Sequence, residues 1–206
     1  MILSMWWHPW CVPVKIWDWH CYTVLHNFAK LILTHYVQHT WNLLKGIALT
    51  AIFPLQVDGS ELAFRLMGRA YGVQLAYSPM LISKLLAQPK HLLKYMHFST
   101  NDRDSPLIVQ ICGNDPEIVA AACRRVEPYC EAIDLNLGCP QRVAKRGNYG
   151  SFLLDKPDLV YSLVTAMNNA VEVPIFCKMR IKDSLEQTID FARYRTIKHI
   201  NYWLPC

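Results

Sequence analysis

The chain has 206 residues, 52% of them apolar, and a formal net charge of +5. That length accommodates one domain with a real core, or a domain plus an arm, and that apolar content excludes disorder throughout. The mild basic bias permits an acidic partner such as nucleic acid without demanding one.

Eight cysteines show no CxxC pair and no even spacing. They read as reduced thiols of an intracellular protein, cytoplasmic or nuclear. The nearest approach to a membrane span, Gly46 to Val57, is 12 residues long and contains Pro54, short of the ~18 such a span needs. A basic leader with a small-residue cleavage site is also missing at the start, so no secretory signal is expected.

Residues 1–50 differ in composition from the rest. Six of the seven tryptophans and five of the eight histidines fall within residues 1–41. Pro9 and Pro13 break any helix there, while Leu25, Phe28, Ala29, Ile32 and Tyr36 give a helix-like spacing over 24–45. His8, Cys11, His20 and Cys21 could be read as metal ligands, but their spacing fits no zinc pattern, so no metal is expected. The reading is a divergent arm, 1–50, attached to a domain.

From Val57 the pattern alternates turn signals with apolar runs. Ser60 is expected to cap a helix with Leu62, Leu66 and Ala70 on one face, stopped by Gly72. "VQLAYS" (73–78), "PLIVQICG" (106–113), "AIDLNLG" (132–138) and "VPIFCKMRI" (173–181) read as strands. Between them, Asn114-Asp115-Pro116-Glu117 opens a helix running to Tyr129, and Lys156-Pro157-Asp158 opens another. A further helix is expected from about Asp183. Strand-helix alternation with short connections implies parallel strands joined by crossovers. No GxGxxG follows the first strand, which disfavours a dinucleotide-type Rossmann fold and leaves a TIM barrel. Gln110, Asn136, Cys139 and Lys178 all fall at or near C-terminal strand ends, where such barrels do their chemistry.

The stretch "LNLGCPQRVAKRGNYG" (135–150) concentrates the chemical signals. Cys139 is open to three readings, as buried filler, nucleophile or proton donor. Lys145 and Arg146 fit either an ordinary solvated face or a phosphate-contacting loop beside Gly147 and Gly150. Lys178 ends a strand flanked by apolar residues and so calls for an anionic or polar partner, a bound ligand being one such.

"DLNLGCPQRVAKRGNYGSFLLDKPDLV", "SELAFRLMGRAYGVQLAYSPML" and "PLIVQICGNDPE" together resemble the flavin-dependent tRNA-dihydrouridine synthases, the eukaryotic 16/17 type above all. The resemblance runs from about Val57 to about Ala192. It implies an α/β chain of TIM-barrel (β/α)8 type, here incomplete at about the first five βα units. The implied domain layout is a partial FMN-binding barrel over 51–192 and a divergent tail over 193–206. The implied reaction is reduction of uridine in tRNA, with NADPH or NADH reducing FMN, hydride passing to C6 and Cys139 protonating C5. Gln110, Lys178 and Gln56 match flavin-contacting positions. Asn136, Lys145 and Arg146 match positions near the substrate base and its backbone. Leu55-Gln56 stand where the family's first strand ends in Pro-Met, so that wall of the flavin site departs from the pattern. Neighbouring cations oppose a thiol that must keep its proton; the expectation is that RNA phosphates neutralise Lys145 and Arg146.

With about five of eight strands expected, the chain reads as a truncated form. That leaves two alternatives to the enzyme reading. One is a non-catalytic fragment or binding module using the tryptophan-rich arm. The other is a different FMN-dependent barrel oxidoreductase acting on a small molecule.

Overall fold

The computed structural model describes residues 59–88 and 98–193, and the backbone of 52–53 and 202–205. The expected arm, its histidines and cysteines, its helix-like stretch and Gln56 lie outside the described residues. The strands are β1 (Ile52–Phe53), β2 (Leu75–Tyr77), β3 (Leu81–Ile82), β4 (Leu107–Cys112), β5 (Ala132–Leu137), β6 (Ile175–Met179) and β7 (Tyr202–Pro205). The helices are α1 (Leu62–Ala70), α2 (Ser83–Leu86), α3 (Pro116–Val126), α4 (Arg142–Gly147), α5 (Pro157–Asn168) and α6 (Leu185–Arg193). Every strand pairing is parallel, in the order β1-β2-β4-β5-β6-β7, with β3 also on β4. The sheet curls into a half-barrel with helices outside: an incomplete (β/α) barrel.

Strand alternation divides the side chains between two environments. Leu107, Val109 and Ile111 of β4, Ile133, Leu135 and Leu137 of β5, and Ile175, Cys177 and Met179 of β6 face outward. They form one core with Val119, Cys123 and Val126 of α3 and Leu163, Val164 and Met167 of α5. The inner face is layered. Tyr77, Ile108, Ala132 and Phe176 make an apolar floor, and polar side chains begin one step further along the strands.

Local sequence signals explain most boundaries. Asp115 caps α3 by accepting from the backbone N–H groups of Glu117 and Ile118, with Pro116 in the first turn. Gly72, at φ +94°, ends α1 in a Schellman arrangement: Val73 N–H donates to the Gly68 carbonyl and Gly72 N–H to that of Arg69. Pro79 interrupts the second strand, so β2 and β3 lie along β4 as two short pieces (Ala76 beside Leu107, Leu81 beside Ile111). The Ser78 hydroxyl fills the gap by accepting from the Gln110 N–H at 3.0 Å.

Three expectations need correction. The cap of α1 is Glu61, in extended backbone and without a side-chain hydrogen bond, rather than Ser60. The buried face of α1 carries Arg65 and Gly68, not Leu62, Leu66 and Ala70. The reason is a clamp on Asp104. The Arg65 guanidinium, 1% exposed, meets the fully buried Asp104 carboxylate at 2.6 Å and donates to the Ser60 and Ser99 carbonyls. Arg69 adds a 3.4 Å contact to the same carboxylate and donates to the Asp104 and Pro106 carbonyls. This ties α1 to the N-terminal end of β4. Thirdly, the cationic loop after Cys139 is a short helix, α4, ended by Asn148 at φ 50°.

Removing one partner of a buried, hydrogen-bonded ion pair strands the other charge. Asp104→Ala is expected to destabilise the fold by about 3–5 kcal/mol, read as a lower urea midpoint. Asp102→Ala, at an exposed neighbour, should leave the midpoint within error of wild type.

Candidate active site

The polar layer of the inner face is built on β4, β5 and β6. Gln110 and Asp134 are register partners, as are Asn136 and Lys178. Gln110 donates through Nε2 to Asp134 Oδ2 at 2.5 Å and accepts through Oε1 from Asn136 Nδ2 at 2.7 Å. Asp134 and Gln110 are wholly buried and Asn136 nearly so. Lys178 is half-buried on the same face.

Asn136 has a second task. Its Oδ1 accepts from the Gly138 and Cys139 N–H groups at 3.1 and 3.0 Å. On the other side, Arg180 Nε donates to the Gly138 carbonyl at 2.7 Å. Ser151 donates to the Cys139 carbonyl twice, from its N–H and its hydroxyl, both at 3.1 Å. All four backbone polar groups of Gly138-Cys139 are therefore held, and the Cys139 side chain stands half-buried at the strand's mouth. Gly150 completes the corner: it sits at φ +69°, and a Cβ there would lie 2.5 Å from the Cys139 carbonyl oxygen.

Burial sets the protonation of the surrounding groups. Cys112, which packs with Tyr149 and Ala144 against Cys139, is pushed up to about 12, chiefly by burial with Cys139 adding. Burial likewise pushes Tyr149 up to about 12. Cys123 and Cys130 also rise to about 12, and Cys177 well above its ordinary value, with burial the main cause in each. These four thiols are protonated and inert at neutral pH. Asp134 rises to about 7, because burial outweighs the Gln110 hydrogen bond and the Lys178 charge. Its Oδ1 has no hydrogen-bond partner.

The structure thus brings Gln110, Asn136, Cys139 and Lys178 to one strand-end face. Lys145 and Arg146 stand apart on α4, exposed. The described ion pairs are those of Asp104 with Arg65 and Arg69, so Lys145 and Arg146 have no acidic partner among the described residues. Sequence reasoning missed Asp134, Ser151 and Arg180. Asp134 carried a usable signal, the two-residue alternation with Asn136 in "DLN", which puts both on one strand face. Ser151 and Arg180 act through backbone carbonyls and carry no such pattern.

The family profile described as "Dihydrouridine synthase (Dus)" matches residues 51–196. The chain belongs to the dihydrouridine synthase family. Over 146 residues it is 44% identical to tRNA-dihydrouridine(16/17) synthase, NAD(P)(+), of Saccharomyces cerevisiae, covering 70% of this chain and 34% of that protein. The corresponding "-like" enzyme of Rattus norvegicus is 40% identical over 154 residues, covering 74% of this chain and 35% of that one. The Schizosaccharomyces pombe enzyme is 42% identical over 138 residues, covering 66% and 35%. The chain therefore spans about a third of the length of these curated dihydrouridine synthases.

The Asp134 carboxyl gives a signed pH test. Its folded value, about 7, lies above its ordinary 3.8, so between these values the folded state binds more protons than the unfolded. Stability is fullest below about pH 4 and falls as pH rises towards 7, by at most about 1.4 kcal/mol per pH unit. Asp134→Asn keeps an acceptor for Gln110 and removes the titration. Urea denaturation across this range should show a flatter pH dependence for the variant; identical slopes would contradict the assignment.

Proposed function

We propose that this chain carries the flavin half of a tRNA-modifying oxidoreductase, reducing uridine to 5,6-dihydrouridine. The single observation behind this reading is the Gly138-Cys139 corner, whose four backbone polar groups are all hydrogen-bonded and fix one thiol beside an amide-carboxyl-ammonium layer. Rigidity of this kind is what a positioned proton donor requires.

The donor set fits FMN, whose ring edge alternates carbonyl oxygens with ring nitrogens. Lys178 presents a half-buried ammonium at the strand-end mouth, and the wholly buried Gln110, its amide shared between Asp134 and Asn136, orders the polar layer beside it. Lys178 would hold the flavin directly and Gln110 through the layer it orders, with Gln56 as a third position in the same reading. When bound, FMN supplies the hydride for uracil C6, with NADPH or NADH as the source of electrons. The relatives' names carry NAD(P)(+), in keeping with that reductant.

The rest is the work of the chain's own side chains. Cys139 gives its S–H proton to C5 as the C5=C6 π bond is lost, and the thiolate recovers a proton from solvent. Asn136 orients the corner that aims this thiol, and Gln110 holds Asn136 in the one amide orientation that leaves its oxygen facing the corner. A uridine in folded tRNA must leave its stack to reach such a face. Lys145 and Arg146, exposed and unneutralised on α4, meet the phosphates that flank it.

The test is turnover. The chain supplied with FMN, NADPH and unmodified tRNA should form dihydrouridine, detected as a gain of two hydrogens on uridine. Cys139→Ala should retain flavin and lose at least about a hundred-fold in rate. No product from wild type would overturn the proposed activity; equal rates would overturn the role of Cys139.

A further inference from the structure

A cleft of about 420 Å3 opens between α2 and α4, on the β4 side of Cys139. Its size is within the roughly 300–1,000 Å3 of ordinary ligand sites. Its walls are Ile82, Val143 and Tyr149, its rim carries Lys84 and Arg146, and none of its lining residues is acidic. Cys112, which packs against Cys139, also lines it, so the cleft adjoins the strand-end site rather than lying remote from it.

Two features make the cleft part of the folded architecture. Asn114 Nδ2 donates to the Gly147 carbonyl at 3.3 Å, joining the end of β4 to the end of α4. At Gly113 a Cβ would collide with the Ser83 hydroxyl and with Val119, so the floor stays open only with glycine there. Lys84 is exposed on α2 and, like Arg142, Lys145 and Arg146, belongs to neither of the two described ion pairs. Two of these cations, Lys84 and Arg146, line the cleft itself beside its apolar walls, and neither has an acidic partner among the described residues.

Resting on the reading above, we infer that this cleft is a second RNA contact, holding the sugar and phosphodiester of the nucleotide next to the uridine being reduced. Charge complementarity selects the occupant. The Lys84 and Arg146 rim takes the phosphate, and the Ile82, Val143 and Tyr149 walls take the sugar and base face. Such a contact positions the strand without reading its sequence. Lys84 becomes a residue that matters for RNA binding although it lies some 55 positions before the cysteine corner in the chain.

The experiment is tRNA binding by fluorescence anisotropy on the full chain across a salt series. It compares wild type with Lys84→Ala, Lys84→Glu, Lys145→Ala and, as a control, the exposed Arg124→Ala on α3. Lys84→Ala should weaken binding about three- to five-fold and lower the salt slope by about one, with a larger loss for Lys84→Glu. Arg124→Ala should match wild type, and the thermal midpoint of both Lys84 variants should be unchanged. Lys84 variants that bind tRNA like wild type while Lys145→Ala weakens it would overturn this inference alone. So would weakened binding of NADPH, added as a separate probe, with tRNA affinity intact. No measurable tRNA affinity in wild type would overturn the functional reading and this inference with it.

Discussion

A carboxamide buried inside a barrel must satisfy both its ends, and Asn136 does so in a way that fixes the whole site. Its nitrogen donates to Gln110, whose own amide is oriented by Asp134. Its oxygen is left to accept from two successive backbone N–H groups, those of Gly138 and Cys139. Flip the amide and both ends fail together: donor would face the Gly138 and Cys139 N–H groups, and acceptor would face the Gln110 oxygen. The orientation of the thiol corner is thus set one strand away, on β4. Arg180 and Ser151 then close the carbonyl side.

The two ends of the strands carry different burdens. At the N-terminal end, Arg65, Arg69 and Asp104 bind α1 to the start of β4 and do nothing chemical. The apolar floor of Tyr77, Ile108, Ala132 and Phe176 separates that clamp from the polar layer. Above the floor, burial holds Cys112 as a protonated thiol, while Cys139, the other strand-end thiol, stands half-exposed. Stability at one end and reactivity at the other is the usual division of labour in (β/α) barrels.

Much of this was legible in the sequence, for reasons that can be located. The outward residues of β4, β5 and β6 are continuous apolar runs, and Asp115-Pro116 and Lys156-Pro157 announce their helices. Asn136, Cys139 and Lys178 stand at strand ends, so their convergence follows from topology once the strands are assigned. The failures share a cause, side chains acting over long sequence separations. Arg65 reads as the polar side of an amphipathic helix until Asp104, 39 residues away, turns that side inward. The Pro79 break yields two strands where one was expected, and its repair by Ser78 lies 32 residues from the amide it serves. The segment with Lys145 and Arg146 looked like a loop because glycine and proline flank it; an αL asparagine after Gly147 lets it close as a helical turn and a half. Lys84 gave no signal at all, since nothing near it in sequence marks the cleft it borders.

The proposed flavin site has the Gln110–Asp134–Asn136 layer beneath it and Lys178 at its edge. The most direct measurement is the visible spectrum of the purified chain after incubation with FMN and desalting. Stoichiometric retained flavin with a spectrum shifted from that of free FMN is expected, and loss of that retention in Lys178→Ala. A colourless wild-type chain with an intact fold would contradict it.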